Sequence, residues 1–502
     1  MIRKSSIFID VDSSSVRVAM TENNELSEFY IESSSKKKLV GNIYKGVVVN
    51  VLQGMQAAFV DIGLEKNAFL YVGDMIIDRS ELDNHVINIP EKLTITPGDE
   101  IMVQVVKDEV GTKGARISSN ISLPGRSIVM TPTLDFLGVS RKIADERVRE
   151  KLTKIVQSHA PKGCGYIIRT VAPEISKKEI ICEIKKLQKL WETINQNFKK
   201  ARTRELIYTE GDLISRTVRD MLNTNIEQIV TNSKEAYDTI SEHLVKSLAV
   251  CADKLELYSG KTDMFKAYGI RQKIDMLLDR KVWLKSGGYL IIDKTEALTV
   301  IDVNSGKYTG NGTLLEDTVF EVNLEAAAEI ARQIRLRNIG GIIVIDFIDM
   351  ELIEHKERLL EVLEEHVSHD RTKCKILGMT RLGLVELTRK KVRNDISSYI
   401  QDECTMCHGS GRILSVASVA NKIRTDLMDL FATLNPPAVT ITVNPEITAK
   451  IFSGFFSKDC ETIWSSKRIY MISDEHLSRE IYRIQVEKDR ILSLPDNARL
   501  VY

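Results

Sequence analysis

Proline is scarce in this 502-residue chain, at 10 residues, and 27 glycines add little loop material. That excludes a long Pro/Gly-rich scaffold as a major component. No apolar run approaches the ~20 residues a membrane-spanning helix needs. The longest, Gly341-Ile-Ile-Val-Ile345, has the length of a buried strand. Net charge is absent, with 70 Lys+Arg against 70 Asp+Glu. The balance excludes a polybasic protein that coats nucleic acid through bulk charge, but leaves room for a local basic groove. Cysteine is sparse and odd in number, at 7, and the N-terminus runs into strand-like Ile7-Phe-Ile-Asp10 without a secretory apolar core. A reducing, cytoplasmic setting is expected rather than a disulfide framework. What is present, 43% apolar and 28% charged residues, is ordinary for a globular protein. The length points to two to four domains, since single cores stop growing at roughly 250–300 residues.

The pattern changes along the chain. Ser15-Val-Arg-Val-Ala-Met20 alternates as a strand, and Asn23-Asn24 suits the positive φ of a hairpin turn. After a Ser33–Lys38 linker, residues 40–118 are β-rich and broken by Gly41, Gly46, Gly54, Gly63, Gly73 and Pro97-Gly98, which predicts a small closed barrel. Residues 121–210 are mixed, 211–283 are expected to be mainly helical, and Trp283 to about 400 alternates strand, helix and strand. Residues 415–502 form a last α+β piece. Between Lys177 and Arg204, nine Lys/Arg and three Glu interleave with Ile180, Ile184, Leu187, Leu190 and Trp191 at helical spacing, the pattern of a solvated helix face.

The most informative segment begins with Ala297-Leu-Thr-Val-Ile-Asp302, an apolar strand ending in a carboxylate. A polar loop with Asn304, Gly306, Gly310 and Gly312 follows, then an amphipathic helix from about Leu314 to Arg337, stopped by Asn338-Ile-Gly340-Gly341. The next strand, Ile342-Ile-Val-Ile345, again ends in a carboxylate, Asp346. A strand–helix–strand unit places its two strands parallel, with both aspartates at the carboxyl edge of one sheet, where α/β proteins bind ligands. Two carboxylates converging there repel unless one is protonated or a hard cation lies between them. Asn304 offers an amide to orient a water or a phosphate oxygen, and Mg²⁺ is usually held by one or two carboxylates plus substrate phosphate. A lone Val-Ile-Asp would be a strand-end turn; two bracketing one crossover favour the metal. Asp349 is expected as a helix N-cap, with an outer-shell contact as the alternative.

Cys404-Thr-Met-Cys407-His408 admits three readings. C-x-x-C-H is a haem-attachment pattern, but that chemistry normally requires export. A redox pair would follow the first strand of a thioredoxin-like unit, and this one does not. Structural zinc takes four ligands, so two chains supplying two thiolates each would share an ion at a dimer interface, the reading preferred here. Cys164, Cys182, Cys251, Cys374 and Cys460 are scattered and suit core or surface thiols.

The stretch Gly41-Asn-Ile-Tyr-Lys-Gly46 through Gln56-Ala-Ala-Phe59-Val-Asp61 to Ala68-Phe69-Leu70 resembles an S1 RNA-binding domain, an OB-type barrel. Phe59 and Phe69 would stack bases there, at ~1–3 kcal/mol each, with Lys107 and Lys113 nearby for phosphates; the rival is that both rings fill the barrel core. Asp302-Val-Asn304-Ser-Gly, Asn323-Leu-Glu-Ala-Ala, Arg335 through Asp346-Phe-Ile-Asp349-Met and the Cys404 loop together resemble the ribonuclease E/G family, over residues 1 to about 415.

The resemblance implies a single-strand-specific endoribonuclease of rRNA processing and mRNA turnover that leaves a 5′-phosphate and a 3′-hydroxyl. Asp302 and Asp346 would hold Mg²⁺ to activate water, with Asn304 orienting them or the scissile phosphate. It also implies a 5′-monophosphate sensor at Gly125, Val129, Arg141, Arg169 and Thr170, where Arg gives a bidentate fork and Thr a hydroxyl donor. The implied architecture is an α/β multidomain protein: an RNase H-like part (1–37 with 211–279), an inserted S1 barrel (38–120), a sensor region (121–210), a DNase I-like catalytic part (280–400), a zinc link (401–414) and a small C-terminal domain (415–502). Cys404 and Cys407 would join a homodimer through Zn²⁺, with tetramers left open. Two departures stand out: Thr405 where the family usually has proline, and Lys373 where arginine is frequent near the sensor. The absence of a Pro/Arg-rich extension after residue 415 fits the compact members. The rival function is a non-catalytic S1-type RNA-binding regulator; a phosphatase using the same Mg²⁺ pair is a weaker third.

Overall fold

A computed structural model of the chain describes residues 5–33, 39–71, 95–109, 113–161, 163–221, 226–247, 253–307, 315–393, 395–462, 464–487 and 498–501. They fall into two compact units, Met1–Ile400 and Gln401–Tyr502. Among the described residues no helix is long and apolar enough to cross a membrane.

Among the described residues the first unit holds four sheets. Ser5–Val11, Ser15–Glu22 and Glu25–Ser33 form an antiparallel meander turned by Asn23 and Asn24 at φ 50° and 66°. Ser5–Val11 also pairs in parallel with Ile226–Thr231, which pairs in parallel with Leu255–Leu257. Residues 211–283, expected to be mainly helical, therefore contain strands as well as the helices Leu213–Met221 and Lys234–Ser247. Ile226, Ile229 and Val230 have helical spacing, but all three are fully buried, and Ile229 and Val230 enter different cores on opposite sides of the sheet. A strand buried on both faces shows an apolar run rather than alternation.

The barrel forms from Ile43–Leu52, Ala57–Asp61, Ala68–Tyr71, Arg116–Ser118 and Glu100–Lys107, closed by pairing of the first with the last. Val48, Ala58, Val60, Ala68, Leu70, Val103, Val105 and Ile117 fill it. Gly73 lies outside the described residues. The next sheet joins Leu137–Val139, Gly165–Ile168, Ile128–Thr131 and Leu123–Pro124. Against it pack the helices Glu146–Gln157 and Lys177–Lys200, the latter started by a Ser176/Glu179 capping box. Ile180, Ile184, Leu187 and Ile194 of this helix are buried, and all nine basic residues of the 177–204 stretch are exposed. The charge run is a solvated face.

The fourth sheet runs Lys281–Trp283, Tyr289–Lys294, Leu298–Asn304, Gly341–Asp346, Val385–Arg389, Cys374–Met379. Leu298–Asn304 and Gly341–Asp346 are parallel, linked by the Leu315–Leu336 helix. That helix and Ile353–Ser368 bury one face through Ile301, Ile343, Ile345, Ala326, Ile330, Leu359 and Leu363. The opposite face is open, with Ile342 51% exposed.

In the second unit, Ser415 caps the Val416–Thr433 helix. This helix packs on a sheet ordered Arg483–Glu487, Ala438–Val443, Arg468–Ser473, Ala498–Leu500. Trp464, 1% exposed, and Phe456 anchor that core.

Candidate functional site

Asp302 and Asp346 are register partners on adjacent parallel strands, so their backbones lie about 4.8 Å apart and their side chains leave the sheet on the same, open side. Asn304, two residues on, shares that side and donates its Nδ2 to Asp302 Oδ2 at 2.8 Å. Its amide oxygen remains as an acceptor for a water proton. The carboxyl of Asp346 is held above the usual range by partial desolvation, then by the charges of Asp302 and Asp349. Converging carboxylates are what a hard divalent cation relieves, and an all-oxygen set suits magnesium. Among the described residues no group of three or more His, Cys, Asp or Glu is arranged to hold a metal by itself. The pair fits an ion that keeps several waters and takes substrate oxygens, as magnesium usually does.

The packing around the pair fixes it. Gly306 has φ +60°, and a Cβ there would come 2.3 Å from the carbonyl oxygen of Gly287, so the loop after Asn304 presses on the Gly287–Gly288 turn and admits only glycine. Gly310 and Gly312 lie outside the described residues. After Asp346 the chain is held by Asn323, which is 0% exposed on the crossover helix. Its Nδ2 donates to the Ile348 carbonyl at 2.8 Å, and its Oδ1 accepts from the Ile348 amide at 3.1 Å. Asp349 is not a helix cap: the following helix begins at Ile353 with Leu352 at its N-cap position. The Glu316 carboxylate takes the capping role from another helix, accepting from the amides of Glu351 and Leu352, each at 3.1 Å. The charge of Asp349 instead acts on Asp346, helping to raise its carboxyl.

On the barrel, Phe59 and Phe69 alternate with the buried Ala58, Val60, Ala68 and Leu70 and so lie on its outer face, not in the core. They are register partners with ring centroids 5.8 Å apart. Lys107 and Lys113 are exposed. Arg116, register partner of both Phe69 and Lys107, stands 6.0 Å from the Tyr71 ring centroid and extends this face. No motif in the sequence singled out Arg116 or Tyr71.

The 121–210 layer brings most of the anticipated sensor residues to one sheet end. Arg169 Nη1 donates to the Gly125 carbonyl at 2.7 Å and to Asp220 Oδ1 at 2.8 Å. Thr170 shares a hydroxyl contact of 3.1 Å with Ser140, next to exposed Arg141. Val129 is opposite Ile167 in the strand pair. The Arg126 and Ser127 amides are held by the Glu183 carboxylate. Asp220 and Arg371, outside the expected set, belong here. Asp220 carries Arg169 on one side, and Arg371 Nη1 donates to its carbonyl at 2.7 Å. Lys142 Nζ donates to the Asp370 carbonyl at 2.9 Å, and Asp370 in turn accepts from buried Arg389 at 2.7 Å. Arg219 Nη2 also donates to Asp220 Oδ2 at 2.8 Å, so Arg219 and Arg371 are both cations that touch the partner of Arg169.

In the second unit, the Cys404–Cys407 turn is closed by the His408 amide donating to the Cys404 carbonyl at 2.8 Å, with His408 at φ 47° and Gly409 at φ 82°. Cys404 is exposed, and amides of Cys407 and Met406 hold its thiol below the usual range, favouring the thiolate a metal needs. Cys404 and Cys407 are two sulfur donors, and a tetrahedral structural site takes four.

A parallel carboxylate pair at the carboxyl ends of adjacent strands, an OB-type barrel with outward aromatics and a paired-cysteine turn mark a multidomain α/β protein. A profile of the ribonuclease E/G family matches residues 122–392. The chain is 40% identical over 447 residues to ribonuclease G of Haemophilus influenzae, covering 88% of this chain and 91% of that protein. It is 39% identical over 446 residues to ribonuclease G of Escherichia coli K12, with the same coverage. With ribonuclease E of Nostoc it shares 37% over 406 residues, 79% of this chain and 58% of that protein. The chain belongs to the ribonuclease E/G family.

Proposed function

We propose that the protein is a magnesium-dependent, single-strand-specific endoribonuclease that leaves a 5′-phosphate and a 3′-hydroxyl and is stimulated by a 5′-monophosphate. The observation that carries this is the register pairing of Asp302 with Asp346 beside Asn304, on the open face of a sheet, in a chain of a ribonuclease family. Asp302 and Asp346 would hold a magnesium ion, which would supply activation of water and neutralisation of charge on the scissile phosphate. Asn304 fixes the Asp302 carboxylate and orients a water; Phe59 and Phe69 stack bases; Lys107 and Lys113 neutralise phosphates. Arg169, Thr170 and Arg141, with the backbones of Gly125 and Val129, receive the terminal phosphate. In this reading the meander and its parallel partners are an RNase H-like part interrupted by the barrel, and residues 280–400 are a DNase I-like part. Cys404 and Cys407 share Zn²⁺ with a second chain in a homodimer acting on cytoplasmic rRNA precursors and mRNA.

The test is cleavage of a 5′-monophosphorylated, A/U-rich single-stranded RNA with Mg²⁺, comparing wild type with Asp346→Asn. Cleavage by the wild type and its loss in the variant are expected. An RNA-binding regulator would instead bind the same RNA and leave it intact, and equal cleavage by the variant would remove the catalytic assignment.

A further inference from the structure

The open face of the catalytic sheet bears a second row of side chains beside the aspartates. Trp283 lies opposite Tyr289, and Tyr289 opposite Asn304, so all three leave the sheet on the same side. The neighbouring row on that side is Lys281, Ile291, Asp302 and Asp346. Trp283 is 62% exposed and takes no part in the core beneath, which Leu284 and Leu290 complete from the other side of the hairpin. Its ring meets Tyr289 edge-on, with centroids 5.4 Å apart at 64°. Lys281 Nζ stands 3.8 Å from the Trp283 ring centre and 3.6 Å from that of Tyr289. An exposed indole braced by a second ring and a lysine thus stands in register with Asn304, outside the buried core.

We propose that Trp283, Tyr289 and Lys281 form a stacking subsite for one nucleobase of the single-stranded RNA held at Asp302–Asp346, one or two nucleotides from the scissile phosphodiester. The inference rests on reading that pair as the cleavage centre. Two strand spacings separate Trp283 from Asn304, about 10 Å, within reach of the adjoining nucleotides. Bases expose π-faces whatever their sequence, so an aromatic platform holds single strands without demanding one base. Lys281 adds positive charge next to an acidic row that would otherwise repel the polyanion. The rigid ring pair sets the direction in which the strand leaves the aspartates, making Trp283 a positioning residue for cleavage.

Binding and cleavage test it separately. A 5′-monophosphorylated oligoribonucleotide is prepared with a single abasic residue walked across the positions flanking the cut. Its affinity is measured by anisotropy in the Asp346→Asn background, and kcat/KM in the otherwise wild-type enzyme. One flanking position should show an abasic penalty of about 10-fold, within the roughly 5- to 160-fold range of base–aromatic stacking. That penalty should vanish in Trp283→Ala and largely persist in Trp283→Phe. Quenching of tryptophan fluorescence on RNA binding should shrink in Trp283→Phe. An abasic penalty of the same size at every position in Trp283→Ala and wild type would overturn the subsite, as would wild-type affinity and kcat/KM in Trp283→Ala on unmodified RNA. If Asp346→Asn still cleaves while the Trp283-dependent penalty appears, the subsite stands and the cleavage-centre reading falls.

Discussion

Asn323 is a single buried side chain whose removal should disable the aspartate edge without touching it. It makes both a donor and an acceptor contact to the main chain of Ile348, two residues past Asp346. In Asn323→Ala both backbone groups lose their partner in a site where Asn323 itself is 0% exposed. Two such contacts are worth about 2 kcal/mol net, and leaving buried backbone groups unsatisfied raises the cost to about 4 kcal/mol. Because each 1.4 kcal/mol is tenfold, the local opening free energy should fall enough to speed hydrogen exchange of the Ile348 amide by roughly 30- to 700-fold. Exchange in the first sheet, Ser5–Val11, should be unchanged. The released loop no longer holds Asp346 and Asp349 in place, and a displacement near 1 Å costs about 10²-fold in rate, so kcat/KM on the monophosphorylated RNA should drop by about that factor. Exchange at Ile348 within twofold of wild type, with wild-type kcat/KM, would refute the reasoning.

Three further outcomes follow from the same contacts. Asp346→Asn should raise the melting temperature of the metal-free protein at neutral pH while cleavage is lost. Partial desolvation, Asp302 and Asp349 lift the carboxyl in the folded state, so folding favours its protonated form; stability is highest below the unfolded value and is lost as pH rises through the raised one. The difference between variant and wild type should therefore shrink as pH falls through that region, and a melting curve gap independent of pH would argue against it. Cys404→Ser/Cys407→Ser protein should lose zinc by elemental analysis and elute as a smaller species in gel filtration; an unchanged mass in solution removes the zinc link. Arg169→Lys keeps the charge but loses the planar fork, so the rate advantage of 5′-monophosphate over 5′-hydroxyl RNA should narrow by about tenfold; an unaltered ratio would exclude Arg169 from the sensor.

The aspartate edge was legible because its information is local: an apolar strand, a polar loop and a capped helix, repeated into a second strand, dictate a parallel crossover and hence the register of Asp302 with Asp346. The barrel was legible for the same reason, through glycines at turn spacing. What was hidden depends on partners far along the chain. Ile226, Ile229 and Val230 have the spacing of a helix face, and only burial on both sides of a sheet begun by Ser5–Val11 makes them a strand. Asp349 looked like a cap because nothing nearby announces that Glu316, on another helix, already satisfies those amides. Asp220 and Arg371 join the Arg169 neighbourhood across 51 and 151 residues of sequence. Trp283 sits in a strand only three residues long, too short for any periodicity to show which way it faces.

The pairing of Ser5–Val11 with Ile226–Thr231 has a temporal side. A ribosome adds about 5–20 residues each second, so the first meander emerges many seconds before the strand that completes its sheet. During that interval its outer edge offers unpaired amides and carbonyls to any passing strand. The barrel, whose strands all lie between Ile43 and Ser118, can close in the meantime. Synthesis thus favours a nascent chain in which a finished barrel hangs from an unfinished sheet. The vulnerable period ends only when Ile226–Thr231 arrives, and a translational pause before that point would lengthen the exposure of an edge the finished protein never shows.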